Sequence, residues 1–121
     1  MPPRVVGYYT LTTRTVTPTV LAPLLSGRLP QYPLSVIYIG MFAVTNTEKR
    51  RGHGTTMMRD ALDRSLGAAD HVGATGVFLD SLSDDSTAFY ASLGFVPVGA
   101  LMLPQPMFLP MATLRQSRTA T

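Results

Sequence analysis

Residues 36–44 read Val36-Ile37-Tyr38-Ile39-Gly40-Met41-Phe42-Ala43-Val44, an almost unbroken apolar and aromatic run. Such a run, rich in β-branched and aromatic residues, predicts a central strand buried on both faces. A basic glycine turn follows, Lys49-Arg50-Arg51-Gly52-His53-Gly54, and after it Met58, Leu62, Leu66 and Ala69 fall on one helical stripe. A buried strand therefore feeds a glycine turn, and the turn opens an amphipathic helix that starts near Gly54 and runs to about Ala69. This arrangement suits an anion. The first amides of a helix have no intrahelical acceptor and carry the positive end of the dipole. Gly52 and Gly54 have no Cβ to hold a phosphate off the backbone, and Lys49, Arg50 and Arg51 add charge beside it.

The nucleoside-triphosphatase P-loop is absent, because no Gly-Lys-Ser/Thr follows at the required spacing. The dinucleotide fingerprint fails as well, because the third position after Gly54 is Met57 rather than glycine. Basic-x-x-Gly-x-Gly remains, and read locally it fits an anion cradle and a plain reversal of the chain equally well. A second stretch separates the two readings. Val77-Phe78-Leu79-Asp80-Ser81-Leu82 predicts a short strand, Asp84 or Asp85 offers a helix cap, and Ala88-Phe89-Tyr90-Ala91-Ser92-Leu93-Gly94-Phe95 completes a helix ended by glycine.

Strand, glycine turn, helix, strand and a helix carrying Phe-Tyr-x-x-x-Gly-Phe: this order resembles the GNAT superfamily of acetyl-CoA-dependent N-acyltransferases. The pyrophosphate loop of that superfamily reads Gln/Arg-x-x-Gly-x-Gly/Ala, and the match runs from about Val36 to Met111. Lys49 departs from the pattern, keeping the charge of arginine but losing its planar fork. Gly7-Tyr8-Tyr9-Thr10-Leu11, Met57-Met58-Arg59-Asp60-Ala61-Leu62 and Met107-Phe108-Leu109-Pro110-Met111 narrow the resemblance. They are similar to the branch comprising toxins of bacterial toxin–antitoxin pairs that acetylate aminoacyl-tRNA.

The resemblance implies an α/β fold, a mixed and mainly antiparallel sheet flanked by helices. The usual first strand and two helices are lacking ahead of the element at residues 4–13. It implies acetyl-CoA as acetyl donor, with its pyrophosphate at the amides of Arg50, Arg51, Gly52, His53, Gly54 and Thr55 and with Lys49 alongside. Phe42 and Val44 would offer backbone groups to the pantetheine arm, which would enter the split between the core strand and the strand at Val77. Tyr90 would be the general acid, since a phenol is close enough in pKa to a thiol to protonate a departing thiolate. Without the resemblance, Tyr90 reads as a core aromatic. The acceptor implied is a primary amine, here the amino group of aminoacyl-tRNA, and a cognate antitoxin is the implied partner. Two alternatives stand beside it: an acetyltransferase of small amines or protein N-termini, and a truncated acetyl-CoA-binding or interaction domain without turnover.

The rest of the chain fills in around this core. Residues 4–13 predict a strand with a bulge near Gly7. Residues 15–33 hold Pro18, Pro23, Pro30 and Pro33 and allow only a short helical turn near Val20 to Leu25. Residues 95–98 and 107–114 predict the last two strands. One domain over residues 1–114 and a polar, disordered tail over 115–121 complete the expected layout. His53 reads as a solvent-facing loop residue, Asp80 as a turn or cap residue in preference to one that orients an amine, and no side chain presents itself as general base. With two histidines and no cysteine no metal site is expected, and disulfides and thiol nucleophiles are excluded. Hydrophobic residues make up 45% and charged residues 14% of the 121, with a net charge of +3. Low charge predicts apolar surface left for a partner, hence a homodimer. Neither a membrane span nor a signal peptide is expected, and the cysteine-free chain fits the cytoplasm.

Overall fold

The strands at Gly7–Val16 and Leu34–Val44 are built from the β-branched and aromatic residues that favour a pleated surface. The computed structural model describes residues 7–24, 32–44 and 53–119. In chain order these form β1 (Gly7–Val16), a 3-10 turn (Pro18–Leu24), β2 (Leu34–Val44), α1 (His53–Val72), β3 (Gly76–Ser81), α2 (Asp84–Ser92), β4 (Val96–Pro97), β5 (Gln105–Pro110) and α3 (Met111–Thr119). The strands make one sheet in the order β1-β2-β3-β5-β4. Only β2 and β3 run parallel; the other three pairings are antiparallel. The mixed, mainly antiparallel sheet expected from the sequence is what forms.

β2 is an interior strand, between β1 and β3, and its residues are buried on both faces of the sheet. Ile37 and Ile39 enter the larger core with Met58, Ala61 and Leu62 of α1, Leu79 of β3, and Leu114 of α3. Leu34 and Val36 point the other way, into a smaller cluster with Leu21, Val98 and Phe108. Alternation along one strand thus feeds two cores. The α1 stripe behaves as its spacing dictates: Met58, Leu62 and Ala69 are buried, and Leu66 packs against the same cluster. The bulge expected near Gly7 falls one step later, where the β1–β2 register shifts between Tyr8 and Thr10.

β3 meets β5 at very close range. A Cβ placed on Gly76 would lie 2.4 Å from the Leu109 carbonyl oxygen and 2.5 Å from the Phe108 ring. Backbone cannot yield as a flexible side chain can. Gly76→Ala is therefore expected to cost about 2–3 kcal/mol, read as a lowered urea midpoint at unchanged m-value. An unchanged midpoint would show that the strands separate more easily than this contact implies.

Two expectations need correction. The cap of α2 is Ser83, not Asp84 or Asp85: Ser83 has extended backbone, φ −152° and ψ 161°, and its hydroxyl accepts from the Ser86 amide at 3.1 Å. The two aspartates instead occupy the first turn, where negative charge favours the helix dipole. Residues 107–114 are not all strand, and residues 115–119 of the expected disordered tail are helical. β5 stops at Pro110 and α3 begins at once, the Met111 amide donating to the Thr75 carbonyl at 2.9 Å. Met111 and Leu114 lie three apart on one helical face and are 3% and 2% exposed. Arg115 reaches Asp70 of α1 at 2.9 Å, an exposed pair that adds little beside the burial of Leu114.

Candidate functional site

β2 and β3 are in parallel register over two residues, Ile37–Val77 and Tyr38–Phe78. Beyond Tyr38 they part. β2 runs on to Val44 paired only with β1, and β3 runs on to Ser81 paired only with β5. The gap is a cleft of about 360 Å³ lined from β2 by Tyr38, Ile39, Gly40 and Phe42, from β3 by Leu79 and Asp80, and from α2 by Ser86 and Tyr90. The backbone of β2 facing β3 is left unpaired from Ile39 onward, so its amides and carbonyls are available to an extended guest. α1 starts nine residues after the end of β2 with no acidic residue in its first turn. Its first amides therefore keep their positive end uncompensated.

Of the residues singled out from the sequence, Phe42 and Tyr90 come together in this cleft. Phe42 is half-buried and stacks on Tyr9, with ring centroids 6.5 Å apart. Val44 is the last residue of β2, and His53, Gly54 and Thr55 are the first three of α1, with Thr55 exposed. Lys49, Arg50, Arg51 and Gly52 lie outside the described residues.

Tyr90 is 7% exposed and sits between Phe89 and Phe95, with centroids at 5.5 and 5.9 Å. It is more buried than Phe89, so the core takes the tyrosine of this adjacent pair. The two readings of this residue thus describe one position: the ring packs in the core and also borders the cleft. Burial pushes its phenol above the ordinary value of 10.0. The hydroxyl has no hydrogen-bond partner among the described residues. The helix is held in place by a small network in which Thr87 donates to the Ser81 hydroxyl at 2.8 Å, or to the Ser83 carbonyl at 2.9 Å. This ties α2 to the end of β3.

Sequence reasoning passed over Tyr38. Its hydroxyl donates to the Asp80 carboxylate at 2.6 Å, and the Arg14 guanidinium lies 3.5 Å from its ring centroid. Burial first, and then the Asp80 carboxylate, push the phenol up. Asp80 is thus no cap: it serves a tyrosine across the cleft. A tyrosine inside an apolar run was the available signal, because a half-buried phenol needs a partner.

A wider hollow of about 450 Å³ lies beside β1, lined by Tyr8, Tyr9, Leu11, Met57, Asp60 and Arg64. Its polar groups already serve one another. Tyr9 donates to Asp60, Arg64 pairs with the same carboxylate, and Tyr9 holds Asp60 below the usual carboxylate range. The smaller cleft is the better candidate because its polar groups still have capacity. Among the described residues, no set of three or more His, Cys, Asp or Glu is placed to hold a metal ion, and no helix is long and apolar enough to cross a membrane.

Known proteins resemble this chain in sequence and in fold. The model of the Acetyltransferase (GNAT) family matches residues 3–95. A tRNA-acetylating toxin of Mycobacterium tuberculosis is 34% identical over 92 residues, covering 76% of this chain and 55% of its own length. A probable toxin TacT of Sinorhizobium fredii is 30% identical over 119 residues, covering 92% of this chain and 65% of its own. A crystal structure of a bacterial toxin superposes with a TM-score of 0.86 at 24% identity, over 96% of this chain and 65% of that one. The chain thus spans between about half and two thirds of the length of these proteins.

Proposed function

We propose, for a chain that belongs to the GNAT acetyltransferase family, that it transfers an acetyl group from acetyl-CoA to the amino group of aminoacyl-tRNA. The observation that carries this reading is the parting of β2 and β3, with Tyr90 on the wall of the gap. The unpaired edge of β2, including Phe42 and Val44, suits the amide groups of a pantetheine arm. The first amides of α1, at His53, Gly54 and Thr55, suit a pyrophosphate, with Lys49, Arg50, Arg51 and Gly52 assigned to the same cradle from the sequence.

Tyr90 then acts as general acid. A phenol raised by burial stays protonated well above neutral pH, so its proton is available to the leaving thiolate throughout the physiological range. The aminoacyl-tRNA acceptor is favoured by the 34% and 30% identity to a tRNA-acetylating toxin and to a probable TacT. In keeping with that kinship we assign the protein a cognate antitoxin, a homodimeric state and a cytoplasmic location.

The test is bulk acetylation of a charged tRNA pool with radiolabelled acetyl-CoA. Label recovered as N-acetyl-aminoacyl-tRNA is the expected result. Label found only on small amines or protein N-termini would move the acceptor class. Acetyl-CoA binding without any transfer would leave a cofactor-binding domain.

A further inference from the structure

The cleft between β2 and β3 opens to both faces of the sheet. Ile39, Leu79 and Tyr90 belong to the core under the helices. Tyr38 belongs to the other face: its ring stacks on Phe78 at 6.5 Å, and Phe78 packs against the smaller cluster around Leu21 and Phe108. Asp80 lies two residues along β3 from Phe78 and so shares that second face. Tyr38, Ile39, Leu79, Asp80 and Tyr90 all line the same cleft. A donor lying against Tyr90 and an acceptor arriving over Tyr38 and Asp80 would meet in the gap from opposite sides.

Asp80 is half-buried, and Tyr38 is its one hydrogen-bond partner among the described residues. It makes no ion pair among those residues. Arg14 is spent on the face of the Tyr38 ring. An ionised carboxylate offers about four lone-pair sites, so most of its accepting capacity points into the cleft unused. A half-buried carboxylate with capacity to spare selects a cation. The neighbouring wall is apolar, made of Leu82, at 75% exposure, with Pro104 and the Tyr8 ring, and no basic side chain lines it among the described residues.

We propose that Asp80 binds the ammonium group of the acceptor and takes its proton, and that Tyr38 is the positioning residue that aims the carboxylate. The site is suited to an α-amino group carrying an uncharged, apolar side chain, which can lie on Leu82, Pro104 and Tyr8. A side-chain carboxylate there would face the Asp80 carboxylate, while the Arg14 guanidinium is held on the face of the Tyr38 ring. The proposal rests on the acetyltransferase reading for its chemistry. The ammonium gives one proton to Asp80, which passes it to solvent. The freed amine attacks, the C–N bond forms and the C–S bond breaks. Tyr90 gives its proton to the thiolate and regains one from the nitrogen. The products are the amide, the thiol and one proton in solvent.

The probes are leucinamide, its deaminated analogue 4-methylpentanamide, and glutamic acid α-amide, titrated into the full chain and followed by amide chemical shifts. Leucinamide is expected to bind at Tyr38, Gly40 and Asp80 at least tenfold more tightly than either of the others. Asp80→Asn is expected to remove that preference while leaving acetyl-CoA affinity unchanged, and Tyr38→Phe to weaken it a fewfold. In acetyl transfer to leucinamide, Asp80→Asn should fall on the order of a hundredfold at pH 7. It should recover as the pH passes the α-amine value near 8, a recovery that a merely structural role would not give. The titratable or charged groups near Asp80 are Tyr38, Tyr8, Arg14 and Tyr90. Of these, Tyr38 and Tyr90 are raised by burial, above the range scanned.

Equal binding of leucinamide and its deaminated analogue, or full preference and rate in Asp80→Asn, would overturn the proposal while leaving the acetyltransferase reading intact. Amine binding at Asp80 in a chain that binds no acetyl-CoA would sustain the site and sink that reading instead. If Asp80→Asn fails to fold, Tyr38→Phe decides: unaltered amine affinity and an unaltered pH profile overturn the proposal.

Discussion

Turnover of the Tyr90→Phe variant is expected to fall by about a hundredfold or more, with its thermal midpoint unchanged or slightly raised. The substitution keeps the ring, and so keeps the contacts with Phe89 and Phe95 at 5.5 and 5.9 Å that make Tyr90 part of the core. It removes a hydroxyl that is buried and has no hydrogen-bond partner among the described residues, and removing such a group costs little or stabilises. Acetyl-CoA affinity should hold, because the proton is needed only as the thiolate leaves. Stopped-flow thiol release and a thermal melt on the same sample separate the outcomes. Full turnover would make Tyr90 a packing residue alone. A collapsed midpoint would mean that the hydroxyl has a structural partner.

The second large effect is expected at Gly54. Gly54→Asp puts a carboxylate in the first turn of α1, where no acidic residue stands now. For the helix this is favourable: aspartate suits the N-terminal dipole by about 0.3–1 kcal/mol. For a pyrophosphate at the same amides it is adverse. Like charges about 4 Å apart repel by about 4 kcal/mol at an effective dielectric near 20, and salt screening brings the loss toward a hundredfold in affinity. Stability and binding should therefore move in opposite directions, which misfolding could not imitate. Isothermal titration showing unchanged acetyl-CoA affinity would place the pyrophosphate elsewhere.

The parts of the fold that were legible in the sequence are those where a local pattern and the tertiary structure ask for the same residue. The apolar run of β2 had to be central, the glycine turn had to open a helix, and Gly94, at φ +106°, had to end α2. The C-terminus was misread because Met107-Phe108-Leu109 and Met111 look like one apolar strand. The break falls at Pro110, and the change of period needs Leu114 to find α1 and β3 beneath it. The α2 cap was misread because three adjacent residues, Ser83, Asp84 and Asp85, all have capping side chains, and only backbone angle distinguishes them.

At the site, Tyr90 was legible both as a motif and as a core aromatic, but helical phase alone does not say which of two adjacent aromatics the core takes more fully. The Tyr38–Asp80 bond was invisible for another reason. It joins residues 42 apart, and it exists only because the strands carrying them stay paired for two residues and then part.

Acetyl-CoA is expected to lie in this parting of the strands and at the start of α1. The most direct measurement is a titration of the isotope-labelled chain with acetyl-CoA, followed by backbone amide shifts. Saturable shifts at His53 to Thr56, along Ile39 to Val44 and at Tyr90 are the expected result. Shifts confined to the hollow lined by Tyr9, Asp60 and Arg64, or no saturable shift at all, would contradict it.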